Sequence, residues 1–224
     1  KIENGVEVQI VGEKGEATLT AEAVLVAVGF KPNSSNIGLE KVGVAVDQRG
    51  FVRIDDSMAT NIPGIWAIGD VTGKLLLAHT ASTMGIICAE VIAGLPARKL
   101  DYRMIPRATY TQPQVASFGY TEKQAQEAGF NVRTGKFPFM ANGKALGYGE
   151  STGYIKIVID ENNNQLLGAS LVGPEVSELL PELTLAQANG LPVEAIAQNI
   201  HAHPTLSEVL MEAAEAAVGY AIHL

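Results

Sequence analysis

The sequence predicts an α/β portion followed by an α+β domain in which helices pack on an antiparallel sheet. Two continuous apolar runs, residues 23–28 and 64–68, have the pattern of strands covered on both faces, as in sheets flanked by helices. From about residue 104 the runs become shorter strands separated by turn residues, and the helical patterns gather at the carboxyl end. Strands first and helices last is the order expected of an α+β domain.

Each element has a local reason. Residues 5–11 alternate with period two, Glu13-Lys14-Gly15-Glu16 supplies a turn, and residues 17–20 continue as a paired strand. Residues 23–28 end in Gly29-Phe30-Lys31-Pro32-Asn33-Ser34, which is loop chemistry. The run at 64–68 ends in Gly69-Asp70, and a helix is expected over 75–94. Ala78, Ala81, Gly85 and Ala89 share one face of that helix, small enough for a sheet or a flat ligand to approach. Strands are expected at 109–111, 114–118 and 131–137. Thr121 and Gln124 open a helix between the last two as a capping box, and Gly129 closes it. Residues 153–159 and 165–172 form a hairpin across Asp160-Glu161-Asn162-Asn163-Asn164. Helices follow at 174–189, 192–198 and 205–219, the last with a buried stripe at 206, 209, 210, 213 and 217.

The 224 residues suffice for one large domain or two modest ones. Sixteen Lys and Arg against 24 Asp and Glu give a net charge of −8, which offers no electrostatic footprint for nucleic acid. With 47% hydrophobic and 18% charged residues, wholesale disorder is excluded. The most apolar run, 75–95, carries His79 and Glu90 and so reads as a buried helix rather than a membrane span; a soluble protein is expected. A start at Lys1-Ile2-Glu3-Asn4 without methionine suggests a piece of a longer chain. Cys88 is the only cysteine, which excludes an internal disulfide framework, a cysteine-based zinc site and a paired-thiol redox centre within this chain.

The most specific stretch is His201-Ala202-His203-Pro204-Thr205-Leu206-Ser207-Glu208. The residue before proline avoids the helical region, so His203 is presented at the mouth of the last helix. Glu208, one turn in, is placed to accept a proton from one ring nitrogen and leave the other to act as base. The plainer reading makes Glu208 part of a capping box with Thr205. Gly69 and Asp70, at the carboxyl end of a buried strand, suit a ligand hydroxyl or a tied-down turn about equally. The helix opening at Leu76-Leu77-Ala78 offers free N–H groups and a positive dipole end to a developing anion. His79 is given no catalytic role. Gly147-Tyr148-Gly149-Glu150-Ser151-Thr152-Gly153 precedes a strand and lacks dinucleotide-loop spacing, so it is a turn. Asp55-Asp56 and the line Glu208, Glu212 and Glu215 are solvated charge, with no metal site expected, and Cys88 is an inert core thiol.

In order along the chain, these residues resemble the carboxyl-terminal half of the flavoprotein disulfide reductases, the class I pyridine nucleotide-disulfide oxidoreductase family. The motifs that carry the resemblance are Ala27-Val28-Gly29-Phe30-Lys31-Pro32-Asn33, residues 64–70, Leu77-Ala78-His79, Gln112-Pro113-Gln114-Val115-Ala116-Ser117-Phe118-Gly119, Val172-Gly173-Pro174-Glu175-Val176 and residues 201–208. The resemblance implies an α/β remnant of nucleotide-binding domains followed by an α+β dimerisation domain. Residues 1–29 would end the NAD-binding domain, 30–103 would contact FAD, and 104–224 would form the interface domain. It implies FAD and NAD as cofactors, with Gly29 leaving the nicotinamide domain, Asp70 on the ribityl chain, and backbone groups of Leu77 and Ala78 by the flavin pyrimidine edge. It further implies His203 as the acid/base, Glu208 as its orienting partner, and a homodimer in which this pair serves the other subunit.

The doubled His201-x-His203 favours the branch that oxidises dihydrolipoamide with NAD+ over relatives acting on glutathione. Components of 2-oxo acid dehydrogenase complexes, met through their lipoyl domains, are the implied partners. The implied compartment is the cytoplasm, with the mitochondrial matrix as the alternative. Neither the family's Gly-x-Gly-x-x-Gly fingerprint nor its Cys-x4-Cys pair is present, so the chain alone is expected to be inactive. A stand-alone dimerisation module is the competing expectation.

Overall fold

The structure, a computed structural model, describes residues 1–223, which fall into two units, residues 1–97 and 98–223. In the first, the alternating runs pair as an antiparallel ribbon of β1 (Val6–Gly12) and β2 (Gly15–Ala21), with Gly12 opposite Gly15 at the turn. A short helix α1 (Leu39–Val42) follows. Next come a 3-10 turn, Gly69–Thr72, and the long helix α2 (Ala78–Ile92). Met84, Ile87 and Cys88 of α2 are buried, as are Val44, Phe51, Val52 and Met58. Gly73 has φ +67°, and a Cβ there would lie 2.5 Å from the Phe51 ring, so only glycine fits this crossing.

Two expected strands of this unit are not strands. Residues 23–28 are irregular, and Leu25, Val26 and Val28 are 92%, 75% and 93% exposed instead of covered on both faces. An apolar run becomes a strand only with a neighbour to complete its hydrogen bonds, and no described strand pairs with this one. Residues 64–68 make only a bridge, Trp66 opposite Ala59, with Thr60 N donating to Ile65 O and Ala67 N to Met58 O.

The second unit is built on a five-stranded antiparallel sheet in the order β3 (Arg107–Thr109), β4 (Gln114–Gly119), β7 (Gln165–Gly173), β6 (Tyr154–Asp160), β5 (Val132–Pro138). The β6–β7 hairpin turns through the Asn/Asp cluster as its sequence predicts. Helix α3 (Glu122–Glu127) carries the expected capping box, Thr121 with Gln124. Between β5 and β6 lies a helix that the turn chemistry did not announce, α4 (Gly143–Tyr148), capped by Asn142 and stopped by Gly149 at φ +73°. Gly147 and Tyr148, read as part of a turn, therefore belong to its last turn.

Helices α5 (Val176–Ala188), α6 (Glu194–Ala197) and α7 (Glu208–Val218) close the unit. Ile155, Ile157 and Ile159 of β6 share a core with Leu179, Leu183, Val209, Leu210, Ala213 and Ala217 of the helices. Val158, pointing to the other face, joins Ala125 and Leu167 under α3, as period-two alternation demands. The contact of α7 with β5 needs Gly135, where a Cβ would lie 2.0 Å from Ala213 O. This core fixes the start of α7, and with it the loop that precedes that helix.

Candidate functional site

Residues 198–207 connect α6 to α7 and carry both histidines of the motif. The peptide bond between His203 and Pro204 is cis. His203 Nδ1 lies 2.9 Å from Glu208 Oε1, and Thr205 N donates to Glu208 Oε2 at 2.8 Å. Glu208 thus meets the histidine with one carboxylate oxygen and the Thr205 amide with the other, but the expected capping box does not form: the Thr205 hydroxyl donates to Ala202 O and meets Ser207 Oγ, and the start of α7 has no side-chain cap. A carboxylate only accepts, so the neutral ring of His203 carries its proton on Nδ1 and its lone pair on Nε2. The His203 side chain is 78% exposed while that of Glu208 is 18% exposed, so a fixed carboxylate aims an accessible ring.

Burial works to raise the Glu208 pKa. The Thr205 amide, the His203 hydrogen bond and the charges of His203 and His201 outweigh it and hold the carboxyl below its ordinary range. The site thus keeps its orienting anion through the range in which histidine titrates.

His201 differs from His203 in every respect. Its side chain is 3% exposed, Nδ1 meets Asn199 O at 2.9 Å, and Nε2 lies 3.0 and 3.2 Å from the two oxygens of Glu182 on α5. With both nitrogens occupied by acceptors, the ring ties the loop to α5 and offers no free lone pair to a substrate. On the other side, Asn142 Nδ2 donates to Thr205 O at 3.0 Å while its Oδ1 accepts from Ala145 N at 2.9 Å.

The remaining predicted residues lie in the first unit. Gly69, with φ +72°, begins the 3-10 turn, and a Cβ there would stand 3.2 Å from Ala81 Cβ. Asp70 follows and is exposed. Leu77 is extended and half-buried, and Ala78 begins α2 at the surface. Thr80 Oγ1, in the first turn of α2, is buried and without a hydrogen-bond partner. Gly29, with φ +140°, lies in the exposed irregular segment. The small-residue face of α2 meets the turn through Ala81 on Gly69 and Gly85 on Ile68, whereas Ala78 and Ala89 are exposed. Cys88 is buried in α2, and burial raises its pKa. Asp55 Oδ1 accepts from Ser57 N and Ala59 N and ties down a turn.

Residues 105–214 match the pyridine nucleotide-disulphide oxidoreductase dimerisation domain, and residues 1–85 match the pyridine nucleotide-disulphide oxidoreductase domain. The chain belongs to the pyridine nucleotide-disulphide oxidoreductase family. It is 48% identical over 236 residues to a dihydrolipoyl dehydrogenase of Mycobacterium leprae, covering 100% of this chain and 50% of that protein. Among solved structures of the family, LpdA from Mycobacterium tuberculosis matches with a TM-score of 0.87 at 28% identity, covering 96% of this chain and 46% of that one. The HOCl-induced flavoprotein disulfide reductase RclA from Escherichia coli matches with a TM-score of 0.85 at 29% identity, over 96% of this chain and 48% of that one. The chain spans about half the length of the curated relatives it matches.

Proteins of this family depend on a flavin and a pyridine nucleotide. At the start of α2 the first unit has three features compatible with a polar ligand. Its turn is glycine-tight at Gly69, Asp70 presents an exposed carboxylate, and Thr80 Oγ1 is an orphaned buried hydroxyl. For Gly29, a Cβ would meet open space, so no crowding marks that position for a ligand. The His203–Glu208 pairing is foreseeable from the sequence, whereas the contacts of Glu182 and Asn142 with the same loop are not. The signal for Asn142 was local, an Asn followed by the small turn of α4; Glu182 had none.

Proposed function

We propose that this chain is the carboxyl-terminal half of an FAD-dependent dihydrolipoyl dehydrogenase, with His203 as its acid/base and Glu208 as the group that orients it. The observation that carries this reading is the 2.9 Å bond between a buried-side carboxylate and an exposed imidazole. In the overall reaction a dithiol loses two electrons and two protons to become a disulfide, and NAD+ takes a hydride to become NADH, releasing one proton. His203 Nε2 accepts a proton from the dithiol, and Glu208 stabilises the imidazolium that results. FAD, when bound, supplies the two-electron relay between sulfur and nicotinamide. Asp70 would hold its polyol chain, Leu77 and Ala78 would offer backbone groups beside its ring, and Gly29 would border the nicotinamide domain.

In this reading residues 1–29 close the NAD-binding domain, 30–103 contact the flavin and 104–224 form the interface of a cytoplasmic homodimer. Lipoyl domains of 2-oxo acid dehydrogenase complexes are its partners. The chain alone does not turn over, because disulfide exchange needs a thiolate pair and Cys88 is a single buried thiol in α2. The test joins the chain to the amino-terminal half of a relative and measures NADH formation from dihydrolipoamide. The His203→Gln variant is expected to lose about 10²–10⁴-fold in turnover, the range for a positioned acid/base. Unchanged turnover in that variant would refute the assignment, and turnover on glutathione disulfide alone would refute the substrate.

A further inference from the structure

We propose that Asn142 is a positioning residue that holds Thr205, and through it Glu208, so that His203 keeps its proton on Nδ1; the inference rests on the His203–Glu208 reading above. Asn142 is only 4% exposed, and its side chain uses both of its functions on different parts of the fold. Oδ1 accepts from Ala145 N, which caps α4, and Nδ2 donates to the carbonyl of Thr205, 63 residues along the chain. These partners settle the orientation of the amide, because a backbone N–H can only donate and a carbonyl can only accept.

Thr205 is the hub of the arrangement. Its carbonyl is held by Asn142, and its N–H holds Glu208 Oε2. The other oxygen of Glu208 is the one that faces His203. Displacement of Thr205 therefore moves the carboxylate that selects the tautomer of the ring. His201, bonded to Glu182, anchors the same loop from α5, so the two clamps act on either side of His203. Helix capping alone does not call for asparagine: Asp or Ser serves a helix start as well, but neither a carboxylate nor a short hydroxyl can reach and donate to Thr205 O.

That difference provides the test. In the 15N-labelled 224-residue chain, Asn142→Asp retains the acceptor for Ala145 and loses the donor to Thr205. The Ala145 amide is expected to stay protected from exchange. The Thr205 amide is expected to lose at least tenfold in protection, and the His203 ring nitrogens to move from an Nδ1–H pattern to one averaged between tautomers. Asn142→Ser should do the same. Unchanged Thr205 protection and an unchanged His203 tautomer in either folded variant would overturn the proposal and leave Asn142 a helix cap only. If neither variant folds, the unmodified chain decides: a scalar coupling across the hydrogen bond from Asn142 Nδ2 to the Thr205 carbonyl carbon supports the proposal, and its absence overturns it. None of these readouts requires turnover. Failure of His203 as the acid/base, seen in the joined protein, is therefore distinguishable from failure of Asn142 as its support.

Discussion

Replacing Glu208 by glutamine perturbs the site at a single function while keeping its shape. The carboxylate accepts from two donors, His203 Nδ1–H at 2.9 Å and Thr205 N–H at 2.8 Å. A carboxamide has one oxygen and one NH2, so it can accept from only one of them. If the oxygen stays with His203, the NH2 meets the Thr205 N–H and leaves that amide unpaired, at a cost of about 1–3 kcal/mol. If the oxygen turns to Thr205, the NH2 donates to the ring, which answers by moving its proton from Nδ1 to Nε2. This second arrangement gives up only the charge assistance of two hydrogen bonds, about 1 kcal/mol in total at a partly exposed site.

The second arrangement is therefore favoured by up to about 2 kcal/mol, the difference between those two costs. Urea unfolding of Glu208→Gln is expected to show a stability loss of only about 1 kcal/mol. The 15N spectrum of the His203 ring should meanwhile report an inverted tautomer. In the joined protein that inversion removes the lone pair from Nε2, and turnover should fall by about 10²–10⁴-fold. A variant that keeps the Nδ1–H tautomer, or turns over normally with the inverted one, would refute the reasoning.

Three further outcomes are expected. Gly135→Ala places a Cβ 2.0 Å from Ala213 O and 2.4 Å from Ala217 N, so α7 must shift off β5; a loss of about 1–3 kcal/mol or more in urea unfolding is expected, and none would contradict the packing. The pKa of Glu215 is raised by burial and then by the charge of Glu212, so the folded chain binds this proton more tightly than the unfolded one. The associated stability is present in acid and lost as pH rises through the carboxylate range, and Glu215→Gln should raise the melting temperature near neutral pH but not in acid. Asp70→Ala in the joined protein should weaken flavin retention by about tenfold, a fair measure of one lost charged hydrogen bond, read by absorbance after gel filtration.

Much of the second unit was legible because its signals are local. The β6–β7 hairpin is two alternating runs around an Asn/Asp cluster, and α7 is a single apolar stripe. The capping box of α3 announces itself over four residues. His203 and Glu208 were legible for the same reason, being five residues apart on either side of a helix start. Glu182 and Asn142 were not, because they reach the loop from 19 and 63 residues away and only the folded chain shows which buried polar groups meet. Helix α4 escaped notice because its two flanking caps, and not its glycine-rich composition, hold it. Residues 23–28 show the opposite failure. Their pattern reports the environment that the residues suit, whereas strand formation depends on a partner that the pattern does not contain.

The unpaired apolar run governs how the first unit behaves by itself. Leu25, Val26, Val28 and Phe30 are all largely exposed, and none belongs to a paired strand. Burying each such side chain is worth about 1.5–3 kcal/mol, so the segment has a strong tendency to find an apolar surface, and none of the described residues covers it. Without ladder hydrogen bonds, its opening free energy should lie at the low end of the range for native proteins. Limited proteolysis of the 224-residue chain should therefore cut first within residues 21–36, before any site between the paired strands of the sheet in the second unit. Joining the amino-terminal half of a relative should slow that cleavage at least tenfold, because it would offer the segment sheet neighbours and an apolar cover together. Equal cleavage rates with and without that half would mean that the exposed run is a native surface, and that its strand-like composition has some other cause.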